Sequence, residues 1–234
     1  MTAPQMRVAP TAPWRERVAP VQRDKAAAAV AYDRMSGSYD AFVGRFEARY
    51  REAGLQALAV VLGERVLEIG FGTGHALVAL AEGVGAAGRV VGLDLSPAMR
   101  ALAEARVRRA GAKCRVELHV GDATRVPLAD ASVDAVFLSF TLELFDKEDI
   151  PLVLAEVRRV LVPGGRVGLV SLALPDLPML STRLYLLAHA AFPRLVDCRP
   201  IPARDILAEA GFQLVHAHTH RMWGLPVDCL VARR

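Results

Sequence analysis

The run Val66-Leu67-Glu68-Ile69-Gly70-Phe71-Gly72-Thr73-Gly74 leads from apolar and β-branched residues into three spaced glycines. Glycines there let the backbone approach a ligand closely, and a helix beginning just beyond supplies unpaired N–H groups and positive potential. A second segment, Val90-Val91-Gly92-Leu93-Asp94, ends in a carboxylate 20 residues after Gly74. A carboxylate so placed can accept from both hydroxyls of an adenosine ribose. The glycine turn alone also fits a tight β–α connection with nothing bound, and nicotinamide enzymes share the pair. Together the two segments point to an adenosine and leave the rest of the ligand open.

Other polar groups stand near these segments. His75 opens the helix after the glycines, and Glu143 follows the fourth expected strand. With His189 they are the candidate catalytic residues, while Asp197 and Arg199 could steer a phenol or amine. His216, His218 and His220 alternate and so share one face of a strand. At a rise near 3.3 Å per residue, neighbours in that series lie about 7 Å apart. That is wide for one tetrahedral ion, so an exposed strand face is expected and no metal centre. Cys114, Cys198 and Cys229 form neither a CxxC pair nor a zinc knuckle. Their odd number argues against a disulfide framework and for a reduced, cytoplasmic setting.

A scaffold for these residues is legible in the alternation of strands and helices. Strands are expected at Arg65–Ile69, Arg89–Leu93, Cys114–Val120, Val133–Ser139 and Arg166–Leu172. Helices fall between them: one from His75 to about Glu82, one from Ser96-Pro97 to Ala110 and one at Asp149–Leu161, closed by Pro163-Gly164-Gly165. This spacing means a parallel sheet covered by helices. A last helix, Ala203–Ala210, precedes strands at Phe212–His220 and Val227–Arg233, which read as an antiparallel edge hairpin around Trp223-Gly224-Leu225-Pro226. At the other end, helical stretches run from Asp24 to about Leu62 with a break near Ser36-Gly37-Ser38, and Phe42, Phe46 and Tyr50 form an apolar stripe.

Further segments complete a family pattern. Gly121-Asp122-Ala123 closes strand three, Asp134–Ser139 lies in strand four, and Glu156-Val157-Arg158-Arg159-Val160-Leu161-Val162-Pro163-Gly164-Gly165-Arg166 follows. Together with the glycine motif and Asp94 these resemble the class I methyltransferases that use S-adenosylmethionine (SAM), over roughly residues 32–174. Tyr32-Asp33-Arg34-Met35-Ser36-Gly37-Ser38-Tyr39-Asp40 is similar to the N-terminal motif of the ubiquinone/menaquinone C-methyltransferase branch. The resemblance implies a doubly wound, Rossmann-like α/β domain with a seven-stranded mixed sheet, five parallel strands plus the C-terminal hairpin, and a helical lid. It implies that Glu68 and the backbone at Gly70, Gly72 and Gly74 hold the methionine portion. Asp94 would grip the ribose, with Leu95 and Met99 beside the adenine. Asp122 would accept from the adenine amino group and the Ala123 N–H would meet its ring. Ser139 would lie under the methionine amine, and Tyr39 would cap the cofactor. Met99 and Tyr39 also fit plain core packing.

The same reading expects SAM to be converted to S-adenosylhomocysteine as a methyl group passes to a small apolar acceptor: quinone-like, lipid, phenol or amine. Two rivals stay open, an NAD(P)-dependent oxidoreductase and a non-catalytic SAM-binding regulator. Residues 175–202 form the expected substrate-side insert, made apolar by Leu177, Met179, Leu180, Leu184, Leu187 and Phe192. The segment after strand four, Leu142-Glu143-Leu144-Phe145-Asp146, departs from the quinone enzymes, which carry an Arg-Asn pair there. It also lacks the Asn/Asp-Pro-Pro-aromatic segment of amino-methylating DNA enzymes, and none of the cysteines follows a proline as C5-pyrimidine chemistry requires.

Composition agrees with a small-molecule enzyme. The 234 residues suit one domain, 23–234, with lid helices in 23–62, and the chain is 53% hydrophobic and 23% charged. The net charge of +4 is local: residues 1–51 hold nine Lys/Arg against five acids, and the remainder is neutral. A nucleic-acid enzyme would spread basic charge over its body, so nucleic acid is not the expected partner. The proline-punctuated residues 1–22 read as a disordered basic arm, solvated or touching anionic lipid. With the apolar insert, this arm is the expected route to any peripheral membrane contact.

Overall fold

The computed structural model describes residues 13–18, 20–21, 45–175, 185, 187 and 198–234. Parallel strands β1 (Arg65–Ile69), β2 (Arg89–Asp94), β3 (Arg115–Val120), β4 (Val133–Ser139) and β5 (Leu161–Leu172) continue into an antiparallel hairpin, β6 (Gln213–Met222) and β7 (Leu225–Arg233). All seven form one sheet in the order β3-β2-β1-β4-β5-β7-β6. This is the mixed α/β sheet that the alternation predicts. Strand order reverses between β1 and β4, and ligands of open α/β sheets bind beyond the carboxyl ends of the strands at such a switch.

Period-two alternation divides the interior into two clusters. Val66 and Val90 face one side, where α2 (Arg45–Leu58), α3 (His75–Val84) and α4 (Pro97–Ala110) pack. Leu67 and Val91 face the other, covered by α1 (Trp14–Arg17), α5 (Ile150–Val160) and α6 (Ala203–Glu209). The α4 start behaves as its sequence predicts: the Ser96 side chain accepts from the Met99 N–H at 3.1 Å, and Pro97 stands at the first helical position. Gly111 ends the helix in the left-handed region, with φ +66°.

Several expectations are corrected. Residues 13–18 are not loose. Trp14 is only 4% exposed, packed against α5 and α6, and Arg15 and Arg17 pair with Glu209 and Asp205. Burying an indole removes roughly 150–250 Å² from water, and the two ion pairs add a tether for one ordered turn. Helix α2 stops at Leu58 rather than Leu62, and Phe46 lies off its buried face while Tyr50 lies on it. Pro163-Gly164-Gly165 does not separate α5 from β5. Val133 pairs with Leu161 and Ala135 with Arg166, so residues 162–165 bulge opposite Asp134 within one strand. The hairpin loop is shorter than expected, because Met222 already pairs with Leu225. Most of the expected substrate-side insert, residues 176–184, 186 and 188–197, lies outside the described residues.

Candidate functional site

The glycine turn sits at the carboxyl end of β1 and is held from three sides. Gly70 donates its N–H to the Leu93 carbonyl at 2.7 Å, tying the turn to β2. Its φ is +71°, and a Cβ there would lie 2.4 Å from Thr141 Cγ2, so only glycine fits. Thr141 in turn donates to the Ser139 carbonyl at 3.0 Å, which links this contact to the end of β4. Arg106 reaches down from α4 and donates to Thr73 Oγ1 at 2.7 Å and to the Thr73 carbonyl. Gly72, with φ +50°, has nothing within 4 Å of where a Cβ would stand. The turn therefore presents bare backbone to open space.

Asp94 is the hinge between turn and second strand. Its Oδ2 accepts from the Gly72 N–H at 2.8 Å and its Oδ1 from the Ser96 N–H at 3.0 Å. A similar arrangement recurs one strand further on. Asp122 Oδ1 accepts from the Thr124 N–H at 2.9 Å, which fixes the loop after β3 and orients the buried Ala123. Leu95 is half-buried between Asp94 and the α4 cap, and Met99 is buried on α4 in the same cluster as Phe71.

Glu68 carries the electrostatics of the site. It is 3% exposed, and its Oε2 has no hydrogen-bond partner among the described residues. Burial pushes its carboxyl well above the usual 4.5, with the Asp94 charge adding to the rise and Arg51 opposing it. A buried carboxylate left open in this way is the fitting counterpart of a cationic ligand. At the neighbouring strand end, Ser139 is half-buried and Phe140 takes φ +50° while buried. For a bulky L side chain this costs roughly 1–2 kcal/mol. It is held by the Phe140 N–H donating to the Val170 carbonyl at 2.7 Å and by an edge contact to Tyr50 at 6.4 Å.

The catalytic candidates are spread unevenly. Glu143, in a short 3-10 turn (Leu142–Leu144), is fully buried, and its Oε1 accepts from the Leu172 N–H at 3.1 Å. Arg199 is fully buried beside it and donates to the Glu143 carbonyl at 3.1 Å and to the Phe145 carbonyl. Desolvation lowers the Arg199 pKa to about 10, while Asp146 and Glu143 oppose the fall. His75 is exposed at the start of α3. Tyr39, His189 and Asp197 lie outside the described residues. The three histidines of β6 line up as the alternation predicts, with the His218 and His220 rings 4.4 Å apart and His220 edge-on to Tyr50 at 5.8 Å. Burial, then His218 and Arg49, lower the His220 pKa. No group of three His, Cys, Asp or Glu among the described residues is placed to hold a metal.

Thr141 and Arg106 are the contributors that reading the residues missed. Thr141 was legible in principle, as a β-branched residue two positions after Ser139 and so beside a glycine turn on the neighbouring strand. Arg106 gave no signal, because its partner Thr73 is 33 residues earlier.

A switch-point glycine turn, a carboxylate bridging it to β2 and an open buried carboxylate beneath define a domain for an adenosine cofactor bearing a positive charge. Residues 66–165 match the family described as a methyltransferase domain. The demethylmenaquinone methyltransferase of Lactobacillus johnsonii is 35% identical over 131 residues, covering 56% of this chain and 53% of that protein. A SAM-dependent methyltransferase from Aquifex aeolicus superposes with a TM-score of 0.58 at 22% identity, over 78% of this chain and 88% of that one. The 1,6-didemethyltoxoflavin-N1-methyltransferase of Burkholderia thailandensis, solved with S-adenosylhomocysteine, gives 0.63 at 18% identity over 93% and 94%. Over these residues the chain is similar to the class I SAM-dependent methyltransferases, quinone-methylating relatives among them, and SAM is the cofactor of that class. It spans about half the length of the curated relatives it first matches. No described helix is long and apolar enough to cross a membrane.

Proposed function

We propose that this chain transfers a methyl group from SAM to a small apolar acceptor carrying a ring, of the naphthoquinol kind. The observation that carries the reading is the buried Glu68 carboxylate, open on Oε2 at the foot of the glycine turn. A nicotinamide dinucleotide, with its anionic pyrophosphate at the turn, gains nothing from a buried carboxylate there. A ligand with an ammonium group does. The acceptor class rests on relatives whose names include demethylmenaquinone and 2-phytyl-1,4-naphthoquinone methyltransferases.

SAM supplies a methyl group already activated on a sulfonium. The residues of the chain therefore have to bind, orient and exclude water, which can provide most of the rate. Asp94 would hold the ribose hydroxyls at the end of β2, beside the Gly72 and Ser96 N–H groups it already accepts from. Glu68 and the bare backbone at Gly72 would hold the methionine end, with Ser139 beneath it. Asp122 and Ala123 would read the adenine edge, against Leu95 and Met99. Tyr39, in the N-terminal lid, would close over the cofactor. Glu143 acts as a positioning residue in this scheme: it fixes the end of β4 to Leu172 and, with Arg199, to the close of the insert. Proton removal from the acceptor then falls to His189 or His75, and an acidic phenol or quinol needs little help of that kind.

The test is calorimetric titration with SAM, S-adenosylhomocysteine and NADH, followed by transfer of labelled methyl to a prenylated naphthoquinol, a simple phenol and an amine. Micromolar-range binding of both adenosyl ligands, none of NADH, and label in the naphthoquinol are expected. NADH binding without either adenosyl ligand overturns the cofactor assignment, and label only in the amine overturns the acceptor class.

A further inference from the structure

The tip of the β6–β7 hairpin holds a feature that neither the packing nor the cofactor site uses. Trp223-Gly224 is a two-residue loop with φ +49° and +81°, the pair of positive values a type I′ turn requires. Such positions favour Asn, Asp or Gly, and a bulky side chain there is strained. The indole is nevertheless 69% exposed, and among the described residues its ring stands edge-on to Phe46 at 4.8 Å, itself 47% exposed. Strain accepted in order to leave an aromatic pair in water points away from fold stability.

The surroundings are cationic. Arg221 precedes the tip and Arg49 lies one helical turn beyond Phe46; both are exposed, and Arg49 donates to the Arg221 carbonyl at 3.0 Å. Neither guanidinium pairs with a carboxylate among the described residues. Phe46 and Arg49 also belong to the stretch 1–51 that carries the whole net charge of the chain. Topology places this edge at the functional end. β7 pairs with β5 so that Val227 stands opposite Leu172, and the hairpin tip projects past the carboxyl ends of the parallel strands. Tyr50, one residue from Arg49, touches Phe140 at the end of β4.

We propose that Trp223 and Phe46, flanked by Arg49 and Arg221, dock the chain on the surface of an anionic lipid bilayer. Indole rings settle at the headgroup level because one part is apolar and the N–H is polar. Arginines beside them gain from the negative surface potential of anionic lipid. Docked on this edge, the carboxyl end of the sheet faces the bilayer, and a membrane-dissolved acceptor reaches it without crossing bulk water. That last consequence rests on the proposed acceptor class; the docking does not.

The chain provides its own probe, because its two tryptophans differ: Trp14 is 4% exposed and Trp223 69%. Vesicles of phosphatidylcholine mixed with phosphatidylglycerol are expected to sediment the protein and shift its tryptophan emission to the blue. Trp14→Phe keeps that shift. Trp223→Ser with Phe46→Ser lowers vesicle partitioning by about tenfold or more, the loss expected when two aromatic side chains leave the interface. Salt weakens binding, since surface charges are screened beyond about 10 Å at 0.1 M. Leu62→Ser, at an exposed residue beside the amino end of β1, leaves binding unchanged. Sedimentation undiminished in the double variant, no shift with vesicles, or a shift that follows protein concentration without lipid overturns the proposal. No cofactor or acceptor is present in this assay, so its failure leaves the methyl-transfer reading standing, and the reverse holds too.

Discussion

The two halves of the sheet are assembled in different ways. On the β1–β2 side, contacts that shape the site join residues close in sequence: Gly72 to Asp94 across 22 residues, Asp94 to Ser96 across two, Asp122 to Thr124 across two. On the β5–β7–β6 side the ties are long. Arg199 meets Glu143 across 56 residues, Tyr50 meets Arg221 across 171, and Arg15 meets Glu209 across 194. The glycine-turn end is mostly a local device of neighbouring βα units, with Thr141 and Ser139 arriving from β4 as its one distant support. The β5–β7–β6 side exists only once distant segments have come together, so it should respond to mutation through stability, whereas the glycine-turn side should respond through affinity.

The sharpest way to break that contrast is Arg199→Met. Removing a fully buried cation takes the donors from the Glu143 and Phe145 carbonyls, and each acceptor left unpaired costs roughly 1–3 kcal/mol. Chemical denaturation should show this loss, while SAM affinity in the folded fraction stays near wild type. A large fall in affinity without a loss of stability would merge the two halves. Asp94→Ala is the mirror experiment. It deletes the acceptor of the Gly72 and Ser96 N–H groups and, on the proposed reading, of the ribose, and SAM affinity should fall by roughly 2–4 kcal/mol, about tenfold for each 1.4 kcal/mol. Calorimetry reads it directly, and wild-type affinity would sink the ribose role.

What was legible in the chain follows the same division. Ser96-Pro97, Gly111 and the glycine turn are local signals, and they placed β1, α4 and the turn to within a residue or so. The place of Asp94, at the end of β2 and bonded to the turn, was legible because its strand and its distance from Gly74 are local too. The ordered turn at Trp14 was not legible, since a proline-rich segment orders only when it meets α5 and α6 far along the chain. Pro163-Gly164-Gly165 misled for a related reason. These residues break a helix in isolation, yet here the chain re-pairs with β4 on both sides and tolerates the bulge. The exposed side of Phe46 was misread because the partner that claims it, Trp223, arrives on the last hairpin.

The smallest predicted effect concerns the proton on Glu68. Burial raises its folded pKa well above 4.5, so the ligand-free protein prefers the neutral acid where the unfolded chain would ionise. The contribution of this group to stability is complete below 4.5 and is lost as pH climbs toward the folded value, by about 1.4 kcal/mol per pH unit within that window. Glu68→Gln cannot ionise, so the ligand-free variant should gain stability relative to wild type as pH rises above 4.5. A cationic ligand inverts the sign, because it favours the carboxylate. SAM affinity of the wild type should then grow with pH against that of the variant, and binding should release a proton, detectable in buffers of different ionisation enthalpy. A pH-independent difference between the two proteins, free and bound, would mean that Glu68 only packs and does not answer the positive charge of the ligand.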